Sequence, residues 1–137
     1  MNQRGFATLE VILMVMVIGI LASIAVPRFT SVTAAANTAK IQSDLSTINT
    51  AIEVYHMEKG DYATSIDALV TAEYLQSKPK PASGSAYIED GTNSKETKIS
   101  NTADYNLTTD YKQATFDSKT IDKFYMPKKT TTPASSG

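Results

Sequence analysis

Few residues of this chain have types and spacing that could support chemistry, and the most unusual is a single carboxylate. Glu10 lies near the start of a run of 21 residues, Phe6 to Val26, that is otherwise apolar or small. An ionised carboxylate in a bilayer costs up to about 3 kcal/mol, so such residues are usually paired and functional. A positive group one helical turn away would be a suitable partner. Glu10 is therefore the first candidate functional residue.

The residue types that usually carry catalysis or bind metals are scarce. His56 is the only histidine and there is no cysteine, which excludes multi-histidine and thiolate sites. A solvated position or one near the end of a helix dipole suits His56 better. Asp104, Asp110, Asp117 and Asp122 are spaced loosely and lack a calcium-loop motif, so exposed turn residues are the simpler interpretation. We expect no metal site, no cofactor and no enzymatic activity.

Basic side chains could make a weak contact with DNA. The candidates are Lys78, Lys80, Lys128 and Lys129, with Tyr87 or Tyr125 for base stacking. The whole chain has 13 basic and 14 acidic residues, so the affinity of one copy should be low, although repetition along a polymer could raise it. Solvated lysines are the simpler alternative.

The apolar run is the element that must position Glu10. As a helix, 21 residues span about 32 Å, close to the ~30 Å of bilayer hydrocarbon. Arg4 before the run favours a cytoplasmic amino terminus, although Arg28 after it weakens this bias. Val26-Pro27-Arg28-Phe29 is a poor cleavage site for an ordinary secretory signal. The sequence therefore predicts a retained membrane anchor.

The stretch Gly5-Phe6-Ala7-Thr8-Leu9-Glu10 resembles the amino terminus of type IV pilins and of the pseudopilins of type II secretion and competence systems. The shared pattern is a basic leader ending in Gly, a Phe, a Glu four residues later, and a long apolar helix. Gly19 and Pro27 match a glycine and a proline common in that helix. The resemblance implies that a prepilin peptidase cleaves between Gly5 and Phe6 and methylates the new amine.

Cleavage would place a positive amine on Phe6, one turn from Glu10. In the family this pair is thought to form between neighbouring subunits, so a subunit in the wrong axial register would leave a buried charge unpaired. A glutamate that snorkels to the membrane face is the alternative interpretation.

Gly19 and Pro27 weaken the helix between them, and a kink is expected where Pro27 removes a backbone donor. We hypothesise that this segment is helical in the membrane and extends or melts in a filament. A tolerated kink is the alternative, since transmembrane helices often contain Gly and Pro.

The chain beyond the proline is predicted to continue as an amphipathic helix ending before Gly60. Its apolar stripe recurs at helical spacing, at Ile41, Leu45, Ile48, Ile52 and Tyr55. Ser65 should cap a short helix containing Ile66, Leu69 and Val70, which ends before the prolines at 79 and 81.

Short alternating runs follow, and they predict a small antiparallel sheet packed on the amphipathic half of the long helix. The candidate strands are residues 86–89, 97–100, 104–108, 114–117 and 123–126, with a turn over residues 90–93. The predicted fold class is α+β and type IV pilin-like. Its expected parts are a leader (1–5), a membrane or filament-core helix half (6–27), an amphipathic half (28–59), a globular head (60–127) and a flexible tail (128–137).

The resemblance implies a structural subunit, interpreted first as the major pilin of a type IV pilus-like filament. A major pseudopilin of a secretion or competence system, or a DNA-binding competence pilin, is the alternative. A membrane-anchored protein that never polymerises is a further one. The implied partners are other copies of the chain, the prepilin peptidase, an inner-membrane assembly platform with its ATPase, and membrane lipid before assembly. The implied location is the membrane before assembly, then a surface filament or periplasmic pseudopilus.

Overall fold

The computed structural model describes residues 3–128, with the backbone alone for residues 25–30. All of the expected tail except Lys128 therefore lies outside the described residues. The chain divides into two compact units, one up to Val32 and one from Thr33. Helix α1, Gln3–Lys59, is 57 residues long; it begins in the first unit and ends in the second.

The first unit contains the apolar part of α1, whose described large apolar side chains are not buried within the chain. Between Phe6 and Ile24 every large apolar side chain is exposed, from 49% at Val17 to 72% at Phe6. By length and composition, residues Gln3–Ile24 could cross a membrane. A surface of this kind is stable only in lipid or against other apolar helices.

The second half of α1 supplies one side of the hydrophobic core of the second unit. Ile41, Leu45, Ile48 and Ile52 are wholly buried, and Tyr55 packs against the same core. The predicted apolar stripe is therefore confirmed. The helix ends at Lys59, and the backbone N–H of Gly60 donates to the carbonyl of His56 at 2.8 Å. Gly60 has a φ of +82°, a left-handed conformation that glycine adopts without strain.

The short helix α2, Ile66–Thr71, is capped at both ends. The Ser65 hydroxyl accepts a hydrogen bond from the backbone N–H of Ala68 at 3.1 Å, as the sequence predicted. At the other end the N–H of Tyr74 donates to the carbonyl of Leu69, and that of Glu73 to Val70, both at 3.0 Å. This is a Schellman arrangement with Glu73 in the left-handed position, at a φ of +63°.

Four strands form two separate antiparallel hairpins. Strand β1, Ser85–Asp90, pairs with β2, Asn93–Lys98, across a two-residue turn at Gly91-Thr92. Strand β3, Tyr105–Leu107, pairs with β4, Ala114–Phe116. The predicted single sheet is wrong in this respect, although an α+β arrangement of a long helix against small antiparallel sheets is confirmed.

Two predicted strands differ from the observed ones. The strand expected at 97–100 instead begins directly after the turn and ends at Lys98, because a two-residue turn sets Asp90 opposite Asn93. Residues 123–126 were expected to form a strand. A 3-10 helix, Ile121–Lys123, instead ends at the first residue of this range, and Phe124 forms a single bridge with Ile88.

Polar side chains on α1 hold the hairpins in place. Asn37 donates to the carbonyls of Ser83 and Ser85, both at 2.8 Å. The hydroxyl of Thr38 accepts from the N–H of Tyr87 at 2.7 Å. These bonds satisfy backbone groups that the two-stranded hairpin leaves without a third strand.

The second hairpin and the last segment are anchored in the same way. The side-chain Oδ1 of Asn49 accepts from the backbone N–H of Ala114 at 2.6 Å. Two turns nearer the start of the helix, the side chain of Gln42 donates to the Phe124 carbonyl at 2.5 Å. These four anchors join α1 to residues at least 46 positions later, so they fix the tertiary arrangement rather than local structure.

Three aromatic residues complete the core. Tyr105, Phe116 and Phe124 are buried, and the rings of Tyr105 and Phe116 lie 4.8 Å apart. The Tyr105 hydroxyl donates to the carboxylate of Asp44 at 2.6 Å, and Lys40 pairs with the same carboxylate at 2.5 Å. Burial, followed by the hydrogen bond to Asp44, raises the pKa of Tyr105, so the hydroxyl remains a donor.

Lys78 and Asp104 form an ion pair with their charged atoms 2.7 Å apart. The hydrogen bond from Lys78 lowers the pKa of Asp104, partial burial opposes it, and the N–H of Tyr105 adds to the lowering. Both side chains are partly exposed, so solvent screening keeps the contribution small.

We expect Glu73→Gly to raise the free energy of unfolding by about 0.5 to 1 kcal/mol, because glycine removes the left-handed strain at this cap. Urea denaturation of the detergent-solubilised chain, followed by tyrosine fluorescence, measures the change. Gln76→Gly is the matched control and should destabilise, since Gln76 is exposed and does not have a positive φ. A loss of stability in Glu73→Gly would contradict the assigned cap.

We expect Lys78→Ala to lower the free energy of unfolding at pH 7 by less than about 1 kcal/mol. A carboxyl with a lowered folded pKa stabilises above its unfolded pKa of about 3.9 and loses this effect as pH falls through the folded value. The difference from wild type should therefore disappear in strong acid. Lys80→Ala is the control, and an acid-independent loss in Lys78→Ala would contradict the assignment.

Candidate processing and assembly segment

The predicted cleavage site lies inside the first turns of α1. The helix begins at Gln3, so the peptide bond between Gly5 and Phe6 has helical residues on both sides. The hydroxyl of Thr8 donates to the carbonyl of Arg4 at 2.9 Å and so spans this bond. The segment that a peptidase would bind is therefore a continuation of the membrane-length helix.

Glu10 lies one helical turn after Phe6 on the same face. Both residues belong to an open stripe at i, i+3, i+4, i+7, i+8, i+11 and i+12, which consists of Phe6, Leu9, Glu10, Leu13, Met14, Val17 and Ile18. Within the described residues the Glu10 carboxylate has no hydrogen bond and no ion pair. A stripe that is apolar except for one unpaired carboxylate is suited to contact a surface that is apolar except for one cation.

Gly19 and Pro27 do not end the helix. The backbone of α1 is helical through both positions and on to Lys59. A Cβ at Gly19 would meet nothing within 4 Å, so no contact inside the chain requires glycine there. The hypothesis that this segment melts in a filament stays a prediction.

The lysines considered for DNA contact differ in their surroundings. Lys78 is occupied by Asp104, whereas Lys80 and Lys128 are exposed. Lys129 lies outside the described residues. The part of the chain that is described gives Lys80 no ion pair, although its carbonyl accepts from Lys40 at 2.7 Å. The pair with Asp104 partly neutralises the charge of Lys78, which weakens its attraction for a phosphate.

The four aspartates considered for calcium do not form a cluster among the described residues. Each has its own neighbour: Asp104 pairs with Lys78, and Asp117 with Lys119. Asp110 accepts from the Thr108 hydroxyl, and Asp122 accepts from Thr120. The hydrogen bonds from these hydroxyls lower the pKa of both Asp110 and Asp122, so both carboxylates are ionised at neutral pH.

His56 lies in the last turn of α1, as the sequence suggested, but it is half-buried rather than fully solvated. Its ring stacks on Tyr62 with centroids 4.0 Å apart and an interplanar angle of 7°. Its Nδ1 atom is buried and has no hydrogen-bond partner among residues 3–128. His56 therefore packs the end of the helix against the chain that follows Gly60.

Sequence reasoning missed the polar anchors of α1, at Asn37, Thr38, Gln42 and Asn49. The signal was present, because all four are short amides or hydroxyls beside the apolar stripe, where long charged side chains would otherwise be expected. Their partners are backbone groups far along the chain, so the sequence could not identify them.

Known proteins are similar in sequence to about two thirds of this chain. Type II secretion system core protein G of Pectobacterium carotovorum is 30% identical over 90 residues, which is 64% of this chain and 58% of that protein. The protein of the same name from Klebsiella michiganensis is 32% identical over 91 residues, 66% of this chain and 62% of its own length. A fimbrial protein of Pseudomonas aeruginosa is 31% identical over 90 residues, 64% of this chain and 58% of that protein.

These matches span about three fifths of the length of the curated relatives. No protein-family model matches the chain. No solved structure matches it either. The assignment therefore depends on the curated relatives, the Gly5-Phe6 to Glu10 pattern and the long apolar helix. Together they show that the chain is similar to proteins of the type IV pilin and pseudopilin family, in line with the resemblance seen in its sequence.

Proposed function

We propose that this chain is the repeating subunit of a helical filament, assembled from the membrane after cleavage between Gly5 and Phe6. The observation that carries the proposal is the exposed apolar stripe of α1 with a single carboxylate four residues after Phe6. Lipid can cover this stripe before assembly, and the same stripe of other copies can cover it afterwards. The first unit thus exchanges lipid contacts for protein contacts without exposing apolar surface to water.

Glu10 is the residue that sets the axial position of each copy. After cleavage the amine of Phe6 on one copy becomes the cation that the Glu10 carboxylate of a neighbour lacks. In apolar surroundings a displaced copy leaves both charges unpaired, which costs about 3 to 5 kcal/mol for a broken buried pair. Contacts of this head-to-tail kind do not close on themselves, so they generate a filament rather than a ring.

Within the family we favour a pseudopilin of the type II secretion core protein G type over a long surface pilus. Core protein G of Pectobacterium carotovorum and that of Klebsiella michiganensis are 30% and 32% identical to this chain. The fimbrial protein of Pseudomonas aeruginosa is 31% identical over a similar share of it. The small head also supports the pseudopilin assignment, since its described part contains two short hairpins and the chain has no cysteine for a disulfide-closed loop. A surface pilin is the second candidate, and the fimbrial relative supports it.

The partners of the proposal follow from this pathway. A membrane prepilin peptidase would cleave and methylate Phe6, and an inner-membrane platform with its own ATPase would extract the subunit from the bilayer. This chain has no phosphate-binding glycine loop, so the energy source must be another protein. The cytoplasmic side holds the leader with Arg4, and the head lies on the far side of the membrane.

We expect Glu10→Gln to reduce filament yield by about tenfold or more while leaving cleavage intact, because the substitution leaves the Phe6 amine unpaired in an apolar contact. Filaments are counted by electron microscopy, and the amino terminus of the membrane-bound protein is determined by mass spectrometry. Glu53→Gln, an exposed acid on the same helix, is the control and should assemble normally. Normal assembly of Glu10→Gln, or a chain that still begins at Met1, would reject the proposal.

Shearing of native cells separates the two candidate filaments. A pseudopilin at native abundance should stay with the cell envelope and form labelled surface filaments only when overproduced, as detected by an antibody against residues 60–137. Long labelled filaments in the sheared fraction at native abundance would instead assign the chain to a surface pilus. Absence of filaments under both conditions would favour a membrane-anchored protein that does not polymerise.

A further inference from the structure

We propose that Asn106 is the acceptor of an N-linked glycan, added on the far side of the membrane from a lipid-linked sugar. The proposal rests on the proposed function only in requiring that the head is exported. It adds to that function a covalent modification of the head domain.

The sequence around Asn106 has the pattern that N-linked glycosylation requires. Asn106-Leu107-Thr108 is the one Asn-x-Ser/Thr triplet in the chain; the asparagines at 2, 37, 49, 93 and 101 lack it. The middle residue, Leu107, is not proline, so the triplet fits the acceptor pattern at every position.

The fold presents Asn106 to solvent. Asn106 is the exposed middle residue of β3, between the buried Tyr105 and the half-buried Leu107. Its backbone pairs with Thr115, whereas its side-chain amide makes no hydrogen bond to the described residues. A glycan on this amide nitrogen would therefore displace nothing from the core.

A cleft beside Asn106 can hold the first sugar. The cleft has a volume of about 230 Å³, and its lining includes Thr64, Asp67 and Tyr111 as well as Asn106. Tyr111 is 42% exposed, so its ring offers an apolar face to the C–H groups of a pyranose. The Asp67 carboxylate and the Thr64 hydroxyl are exposed and can bind sugar hydroxyls.

The chemistry is a group transfer between the chain and a polyprenyl-diphosphate sugar. The Asn106 amide nitrogen forms a bond to C1 of the sugar, and the bond between C1 and the diphosphate oxygen breaks. The diphosphate leaves with that electron pair on the lipid, and one amide proton passes to a base of the transferase. No oxidant or reductant is needed.

The folded structure implies that transfer precedes closure of the second hairpin. The Thr108 hydroxyl, which an acceptor sequence must present, donates to Asp110 at 2.5 Å and accepts from the N–H of Gln113 at 3.2 Å. This hydroxyl is free only while residues 106–108 are an open chain, before the head has folded.

The test is mass spectrometry of the full chain purified from its native cell envelope. The tryptic peptide of residues 99–112 should carry the added mass of one or more sugars, and fragmentation should assign it to Asn106 rather than to Asn101 in the same peptide. Asn106→Gln and Thr108→Val should lose the added mass completely. Thr108→Ser, which keeps the hydroxyl, should retain it, and Asn101→Gln should not change it.

An unmodified peptide in the wild-type chain, or sugar attached only to serine or threonine, would overturn the proposal. Retention of the glycan in Thr108→Val would overturn it as well. Filaments are scored on the same cells by electron microscopy. A glycosylated chain without filaments rejects only the filament proposal, and unmodified filaments reject only this one.

Discussion

The burial of one apolar stripe on the second half of α1 is the constraint on which the head domain depends. Ile41, Leu45, Ile48 and Ile52 are wholly buried, and each buried aliphatic side chain contributes about 1.5 to 3 kcal/mol. A single helix cannot cover its own stripe, so the later elements are arranged around it. Helix α2, the two hairpins and Phe124 each contribute buried side chains to the same core. The later elements of the head therefore share their hydrophobic core with this half of α1.

The polar anchors of α1 determine how the two hairpins are oriented on the helix. A two-stranded hairpin leaves one edge of each strand without a backbone partner, and such an edge must find other donors and acceptors. Asn37 and Thr38 satisfy the β1 edge, and Asn49 satisfies the N–H of Ala114 at the start of β4. Side chains of α1 therefore supply hydrogen bonds that a third strand would supply in a larger sheet. This explains why two isolated hairpins, rather than one continuous sheet, are sufficient here.

The segment from Phe6 to Ile24 follows the opposite rule, because its large apolar side chains are exposed and Glu10 is the one charged residue among them. Non-directional apolar contacts alone would let neighbouring helices slide along each other. A single charge in such a surface makes one axial position better than the others, since every other position leaves that charge unpaired. The chain thus combines a head that is complete within one copy with a helix that needs other copies or lipid.

The sequence by itself determined the features that depend on neighbours along the chain. These are both helices, the Ser65 cap, the Gly60 end, the buried stripe, the turn after β1 and the position of Glu10 relative to Phe6. Helical periodicity, capping and turn preference act within a few residues, so they can be recognised from the sequence. Only the tertiary structure decided the separation into two hairpins, the 3-10 helix before Phe124, the pairing of Lys78 with Asp104 and the stacking of His56 on Tyr62. Most of these features depend on groups that are distant in sequence, and His56 and Tyr62 meet only because the chain reverses after Gly60. Short, mostly polar strands carry too little periodic signal to fix such contacts.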